Sequence, residues 1–374
     1  MLKGLWYRLT VVLLVSVVFV SCTPKAIPVG FIGGLSGFNA DLGISGRNGV
    51  SLAIDAINRA GGIRGRKLEL LVRDDKQDPD TARRVFQELV SKKVVVVIGP
   101  MTSAIAQVLN PLANEEQVLL ISPTASSPDF SGLDDMFVRL TPPNTEEALG
   151  LAQESFRQGG RRVCIVNDLS NKAFSGTIER TYTAELRGLA EAEGIEVSII
   201  SLPFDPDDPK GAPILLTGLA RYMPDLLLFT TNSHDTAILA QQIRKKGFSV
   251  PFLGTGWAMS EILLENGGDA VDGMVFAVPF NPNSDREDWK QFASLYQNTF
   301  GKPADFGAHQ AWNAVQVLKE ALASGDRKHI KKRIINRHYE GLQGTFFIDT
   351  FGDPRSSFQR VQVRSGQFIT VTDR

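Results

Sequence analysis

Val94-Val-Val-Val-Ile98, followed by Gly99-Pro-Met-Thr-Ser103, decides how the chain reads. Five apolar residues without a polar break describe a strand covered on both faces, as in the middle of a parallel sheet. Gly99 and Pro100 end the strand, and a helix is predicted over 103–115. Working outward, strands are predicted at 27–32, 67–73 and 118–121, with helices at 46–58 and 79–91 between them. Ala53, Ile54 and Ile57, like Val85, Phe86 and Leu89, recur at helical spacing and should face a sheet. Strand and helix in alternation predict a doubly wound α/β domain.

Thr141-Pro-Pro-Asn144 interrupts this pattern and reads as a crossing segment, after which a second set of units begins. Its strands are predicted at 162–167, 196–201, 226–230, 251–254 and 274–278, with helices at 176–193, 212–222 and 235–246. Pro279-Phe-Asn-Pro-Asn283 is a second hinge-like stretch, leading to helices at 286–300 and 306–323. Short strands close the chain at 344–348 and 358–371, around a Gly352-Asp-Pro354 turn. Two proline-rich crossings in an otherwise regular α/β chain predict two lobes that exchange segments.

At 374 residues the chain is long enough for two or three domains at ~150 residues each. A net charge of −1 lacks the basic excess of a general nucleic-acid binder. The first residues stand apart. Lys3 and Arg8 precede an almost purely apolar run, Leu9 to Val20, and then Ser21-Cys22. A basic start, a short apolar core and a small residue describe a secretory signal over 1–21. The run falls short of the ~20 residues that a permanent span needs. The Cys22 context resembles the lipobox of bacterial lipoproteins, with Phe19 where that motif usually has Leu. It implies a lipid on Cys22, a tether over 22–26 and a body held at a membrane surface outside the cytoplasm. Cys164, inside an apolar strand pattern, reads as a core residue.

Motifs of catalysis are missing. Gly30-Phe-Ile-Gly-Gly-Leu-Ser-Gly37 follows a strand but lacks both the G-x-G start and a downstream Gly-Lys-Ser/Thr. Neither Ser36 nor Ser45 completes G-x-S-x-G. The four histidines form no zinc pattern. Asp74-Asp75 at a strand end reads as structural, and the basic stretch 327–338 as a solvated helix face. No enzyme activity and no cofactor or metal are expected.

Ligands of open α/β sheets bind beyond the carboxyl ends of strands. There the chain offers Ser103, expected as the N-cap of the following helix, whose free N–H groups suit a carboxylate. Beside it lies Ser122-Pro-Thr-Ala-Ser-Ser-Pro128, rich in hydroxyls and held by prolines.

These residues carry a resemblance that covers the whole chain after the signal. Leu35-Ser-Gly37, Gly61-Gly-Ile-Arg-Gly65, Asp74-Asp75 with Asp78-Pro79, Val97-Ile-Gly99, Ile121-Ser-Pro123 and Tyr296 through Pro303 stand in the order and spacing of one family. The body resembles the leucine/isoleucine/valine-binding proteins, type I periplasmic binding proteins that feed ABC transporters. The resemblance implies two lobes joined by three crossovers, the third near 342–345. It divides the chain into 27–143 plus 280–343 and 144–279 plus 344–374. It also implies that Ser103, Thr124, Ala125 and Ser126 grip a ligand's α-carboxylate and part of its ammonium.

Departures from the family pattern matter too. Leu42 and Asn232 stand where the family has aromatic residues, and Phe174 is a candidate replacement for one of them. Gly256, followed by Trp257, stands where amino-acid binders place a Glu against the ammonium. Either another acid takes over, with Asp168 as the candidate, or the ligand has no amine. The resemblance therefore implies a binding protein that passes a small carboxylate-bearing ligand, an amino acid or related organic acid, to an ABC permease. The alternative is a sensor or scaffold lipoprotein that uses the same fold to contact a receptor or cell-wall enzyme.

Overall fold

The computed structural model describes residues 25–37, 40–324 and 329–371. The expected signal and Cys22 lie outside them. Five strands build the first sheet: β1 (Ile27–Gly33), β2 (Leu68–Asp74), β3 (Val97–Ile98), β4 (Leu120–Ser122) and β5 (Phe137–Arg139). They are parallel, in the order β2-β1-β3-β4-β5. Helices α1 (Asp41–Arg59), α2 (Pro79–Ser91) and α3 (Ser103–Glu116) connect the first four. The apolar run at 94–98 is central as expected, but only Val97 and Ile98 form regular ladder. Val95 still donates to Pro28 O at 2.9 Å. Gly99 turns the chain out at φ +115°, where a Cβ would lie 2.2 Å from Ile32 O.

The second sheet begins with β6 (Arg162–Asp168), β7 (Ser198–Phe204), β8 (Leu226–Phe229), β9 (Phe252–Gly254) and β10 (Val275–Val278). Between and before them run α4 (Thr145–Arg157), α5 (Lys172–Ala192), α6 (Gly211–Tyr222), α7 (Ser233–Lys245) and the short α8 (Glu261–Gly267). The chain then returns to the first lobe through α9 (Glu287–Phe300), α10 (Phe306–Leu322) and α11 (Ile330–Ile334). Strands β11 (Arg337–Gly341), β12 (Gly344–Ile348) and β13 (Pro354–Arg355) follow, then β14 (Gln359–Arg364) and β15 (Gln367–Val371). In the basic stretch, Lys331 is turned inward, its Nζ donating to Asp135 O at 2.6 Å.

Two expectations need correction. The stretch 342–345 is not a crossing: Gly341 pairs with Gly344, making it the turn of the β11–β12 hairpin. Ile348 and Tyr339 pack in the first lobe's core, and Asp353 pairs with Arg139 of β5. The chain instead passes to the second sheet between Arg355 and Gln359. That sheet is also not wholly parallel. Its order is β15-β14-β10-β9-β8-β6-β7, with β14 antiparallel to both β10 and β15. The cause is where the crossing ends. Phe358 lines the space between the lobes, at the carboxyl ends of the parallel strands, so β14 must run away from it.

Both sheets are covered on two faces. In the first lobe, α1 and α10 bury Val50, Ala53, Ala314 and Leu318 on one side. On the other, α2 and α3 bury Phe86, Leu89, Ile105 and Leu109. In the second, α4 and α5 supply Leu151, Ile178 and Leu186, and α6 and α7 supply Leu219 and Ile243. Cys164 is fully buried there, and burial pushes its thiol up to about 12, which keeps it inert. At the junction, Trp289, Phe292 and Tyr296 of α9 join the second core to Leu52 and Ala308 on α1 and α10.

Candidate functional site

Strand order in the first sheet reverses at β1, and the carboxyl ends there face those of the second sheet, a ligand-binding position in open α/β folds. About 560 Å³ of empty space, part of it continuous with solvent, lies between them. Its lining includes Leu42, Ser103, Thr124, Ser126, Phe174, Gly256 and Trp257, so seven of the ten expected ligand-binding positions converge on it.

The first-lobe wall is built from hydroxyls. Thr102, not Ser103, caps α3, accepting from Ile105 N at 3.4 Å. Ser103 is the first helical residue. Its Oγ accepts from Ser126 N and Ser127 N, both at 3.1 Å, which leaves its proton to be donated. Ser122 Oγ accepts from Ala125 N at 3.0 Å and donates to Pro100 O at 2.6 Å, and Thr124 Oγ1 donates to Met101 O. Behind the wall, buried Arg139 donates to Ser127 O at 2.7 Å and to Asp353 Oδ1 at 2.7 Å. It also donates to Ser131 Oγ at 2.5 Å. Ser126→Ala is expected to weaken ligand binding about tenfold with an unchanged urea midpoint, since one polar contact is worth roughly that. Calorimetry checks the affinity, and equal affinity would remove Ser126 from the site.

Three expected residues do not reach the cavity. Ala125 packs with Phe86 and Phe130, and its N–H is committed to Ser122. Asn232 caps α7, accepting from Asp235 N at 2.9 Å and donating to Asp235 Oδ2 at 2.6 Å. Asp168 is fully buried, and burial pushes its carboxyl up to about 6. Its Oδ1 accepts from Ser170 N at 2.7 Å, while Oδ2 has no partner. None of these contacts places Asp168 against a ligand.

A carboxylate does line the cavity, on an unexpected element. Glu147, the third residue of α4, is 6% exposed, and its Oε1 accepts from Gly256 N at 2.6 Å. Burial pushes its carboxyl up to about 8. Among the described residues no Lys or Arg lines the cavity, which leaves Glu147 as its single ionisable side chain. Gly256 is closely packed: a Cβ there would lie 3.0 Å from Val278 Cγ1 and in ordinary contact, at 3.6 Å, with Glu147 Oε1. The signal was present in the sequence, because Asn144-Thr-Glu-Glu147 directly follows the first crossing. It has the form of a capping box, a pattern with an ordinary structural use.

Phe174 and Trp257 meet edge to face, ring centroids 5.6 Å apart, and with Leu42, Met101 and Phe306 form the apolar part of the lining. The space thus has a hydroxylic wall, one acidic corner and an apolar stretch, with Asn144 and Asn171 also in its lining.

A family profile described as "Periplasmic binding protein" matches residues 26–367. The Leu/Ile/Val-binding protein BraC3 of Rhizobium johnstonii is 26% identical over 319 residues, covering 84% of this chain and 83% of that protein. The branched-chain amino acid transporter substrate binding protein LivJ of Streptococcus pneumoniae, solved with isoleucine, superposes with a TM-score of 0.84. It is 21% identical, over 93% of this chain and 99% of that one. A solute binding protein of an ABC transporter from R. palustris, solved with benzoate, superposes with a TM-score of 0.82. It is 18% identical, over 92% of this chain and 95% of that one. The profile spans nearly all of the described residues, and the two-sheet architecture agrees with it: the chain belongs to the type I periplasmic binding proteins, in the Leu/Ile/Val-binding family.

Proposed function

We propose that the protein captures an α-amino acid with an apolar side chain between its lobes and delivers it to an ABC permease. Glu147 carries this reading. A buried carboxylate with no cationic neighbour in the cavity is costly unless the ligand supplies the positive charge. Glu147 then takes the ammonium from the second lobe's side, while the Ser103 and Ser126 hydroxyls and the backbone N–H of Thr124 take the α-carboxylate from the first. The side chain lies against Phe174 and Trp257. The hydrogen bond to Gly256 N puts the acid beside the position where the family resemblance places its Glu. The lobes are assigned as 27–143 plus 280–355 and 144–279 plus 359–371. Residues 1–21 act as an export signal, and Cys22 carries a lipid that holds the protein outside the cytoplasm.

A carboxylate-only ligand is the second reading. It is favoured by the raised pKa of Glu147, which at neutral pH leaves a proton to donate to an acid. Calorimetry of L-leucine, L-phenylalanine, 4-methylvalerate and benzoate separates the two. L-Leucine or L-phenylalanine should bind at least a hundredfold more tightly than 4-methylvalerate or benzoate. Equal or tighter binding of the deaminated acids would overturn the amino-acid reading.

A further inference from the structure

Asp41, the first residue of α1, lies on the first lobe beside Leu42, but its hydrogen-bond partners lie on the second. Its Oδ2 accepts from Ser233 Oγ and, at 2.9 Å, from Ser260 Oγ. Ser233 is the first residue of α7, and Ser260 immediately precedes α8. Both serines are buried, at 0% and 9% exposure. Ser260 occupies the N-cap position of α8 yet makes no side-chain cap bond there. Its hydroxyl proton is donated across the cleft to Asp41. Asp41 also stands in the first turn of α1, where a carboxylate is favoured by the helix dipole.

A second cross-lobe bond runs from Ala104 N to Asn171 Oδ1 at 3.0 Å. Both connections adjoin the lining: Asp41 precedes Leu42, Ala104 follows Ser103, and Asn171 itself lines the space. Both join protein atoms directly. Of the two, the Asp41 connection is charge-assisted and therefore the stronger.

We propose that Asp41 is a cross-lobe latch, a positioning residue whose bonds to Ser233 and Ser260 favour the closed arrangement of the cleft directly, in addition to the contacts a ligand makes. Lobe closure is then an equilibrium internal to the chain, and a ligand adds to it. Loss of the latch opens the empty protein and speeds ligand release, and the walls that touch ligand remain chemically intact.

Small-angle X-ray scattering of the ligand-free protein tests this without reference to which ligand binds. Asp41→Ala should give a larger radius of gyration than the parent, and Ser260→Ala a smaller shift in the same direction. The double variant should match Asp41→Ala alone, because both residues belong to one interaction. Stopped-flow release of L-leucine should be about tenfold faster in Asp41→Ala, the scale of one charge-assisted contact. A parental radius in both single variants, or additive effects in the double, would overturn the latch. Should Asp41→Ala fail to fold, as judged by its urea midpoint, Ser260→Ala carries the scattering test alone. If L-leucine does not bind the parent, the ligand assignment fails and the scattering result still decides the latch.

Discussion

Glu147→Gln should abolish tight amino-acid binding while making the empty protein more stable. The variant keeps an oxygen for Gly256 N and nearly the same volume, so the change removes charge and little else. An ammonium left in the site without its counter-charge costs about 3 kcal/mol or more, which is about a hundredfold in affinity. The stability gain follows from the raised carboxyl. Burial moves Glu147 from 4.5 to about 8. Between those values the folded state retains a proton that the unfolded chain has released, so stability falls as pH rises through that window and levels off above it. Gln removes this dependence. Melting temperatures of parent and variant should coincide below pH 4.5 and diverge in the variant's favour by pH 8. A variant less stable than the parent at pH 8 would contradict the burial argument.

The same group gives binding a pH dependence whose sign identifies the ligand. An ammonium ligand needs Glu147 ionised, so binding expels the proton and tightens with rising pH up to about 8, at most about tenfold per unit. A carboxylate-only ligand needs that proton and should bind more weakly as pH passes about 8. Calorimetry in buffers of different ionisation enthalpy would also count the protons released.

Arg139→Met should cost the most stability, about 3 kcal/mol. Arg139 is fully buried, and its planar guanidinium serves Asp353, Ser127 and Ser131 at once. Burial lowers its pKa, and Asp353 is the largest opposing influence. Met fills much of the volume but strands the Asp353 carboxylate, at 14% side-chain exposure, and the Ser127 carbonyl. Lysine should not rescue, because a single ammonium cannot reproduce the three-way fork. Chemical denaturation measures the loss. Calorimetry at a temperature where the variant stays folded should show weaker binding too, since Ser127 N is one of the two donors that orient Ser103. Unchanged stability would mean that Asp353 finds water readily and the pair adds little.

What the chain revealed before folding divides along a physical line. The alternating α/β layers and the hydroxyls at Ser103 and Ser126 were legible because periodicity and strand-end position are local properties. Leu42, Thr124, Phe174, Gly256 and Trp257, by contrast, were reached only through the family resemblance. Glu147 was not legible, because its role depends on α4 reaching Gly256, 109 residues away, and a first-turn glutamate has an ordinary capping use. Asn232 misled in the opposite direction. Asn-Ser-His-Asp reads equally as a cleft residue or as a cap, and the structure uses it as the cap of α7. Ser103 and Thr102 compete for one N-cap, and a one-residue shift changes which hydroxyl is free for a ligand. The third crossing was placed near 342–345 by the family resemblance alone, and nothing local in Gly341-Leu-Gln-Gly344 separates a crossing from the hairpin turn it forms.

The threefold exchange between lobes also governs how the protein is made. The first core needs Val315 and Leu318 of α10 and Ile348 of β12, and the second needs Val361 and Val363 of β14. Neither lobe can bury its apolar faces until almost the whole polypeptide has left the ribosome. At about 5–20 residues per second, synthesis leaves both cores unfinished for on the order of tens of seconds. Distant pairings also close slowly once the chain is complete. During that interval the apolar faces of both sheets stay exposed, a state that suits the export proposed for residues 1–21.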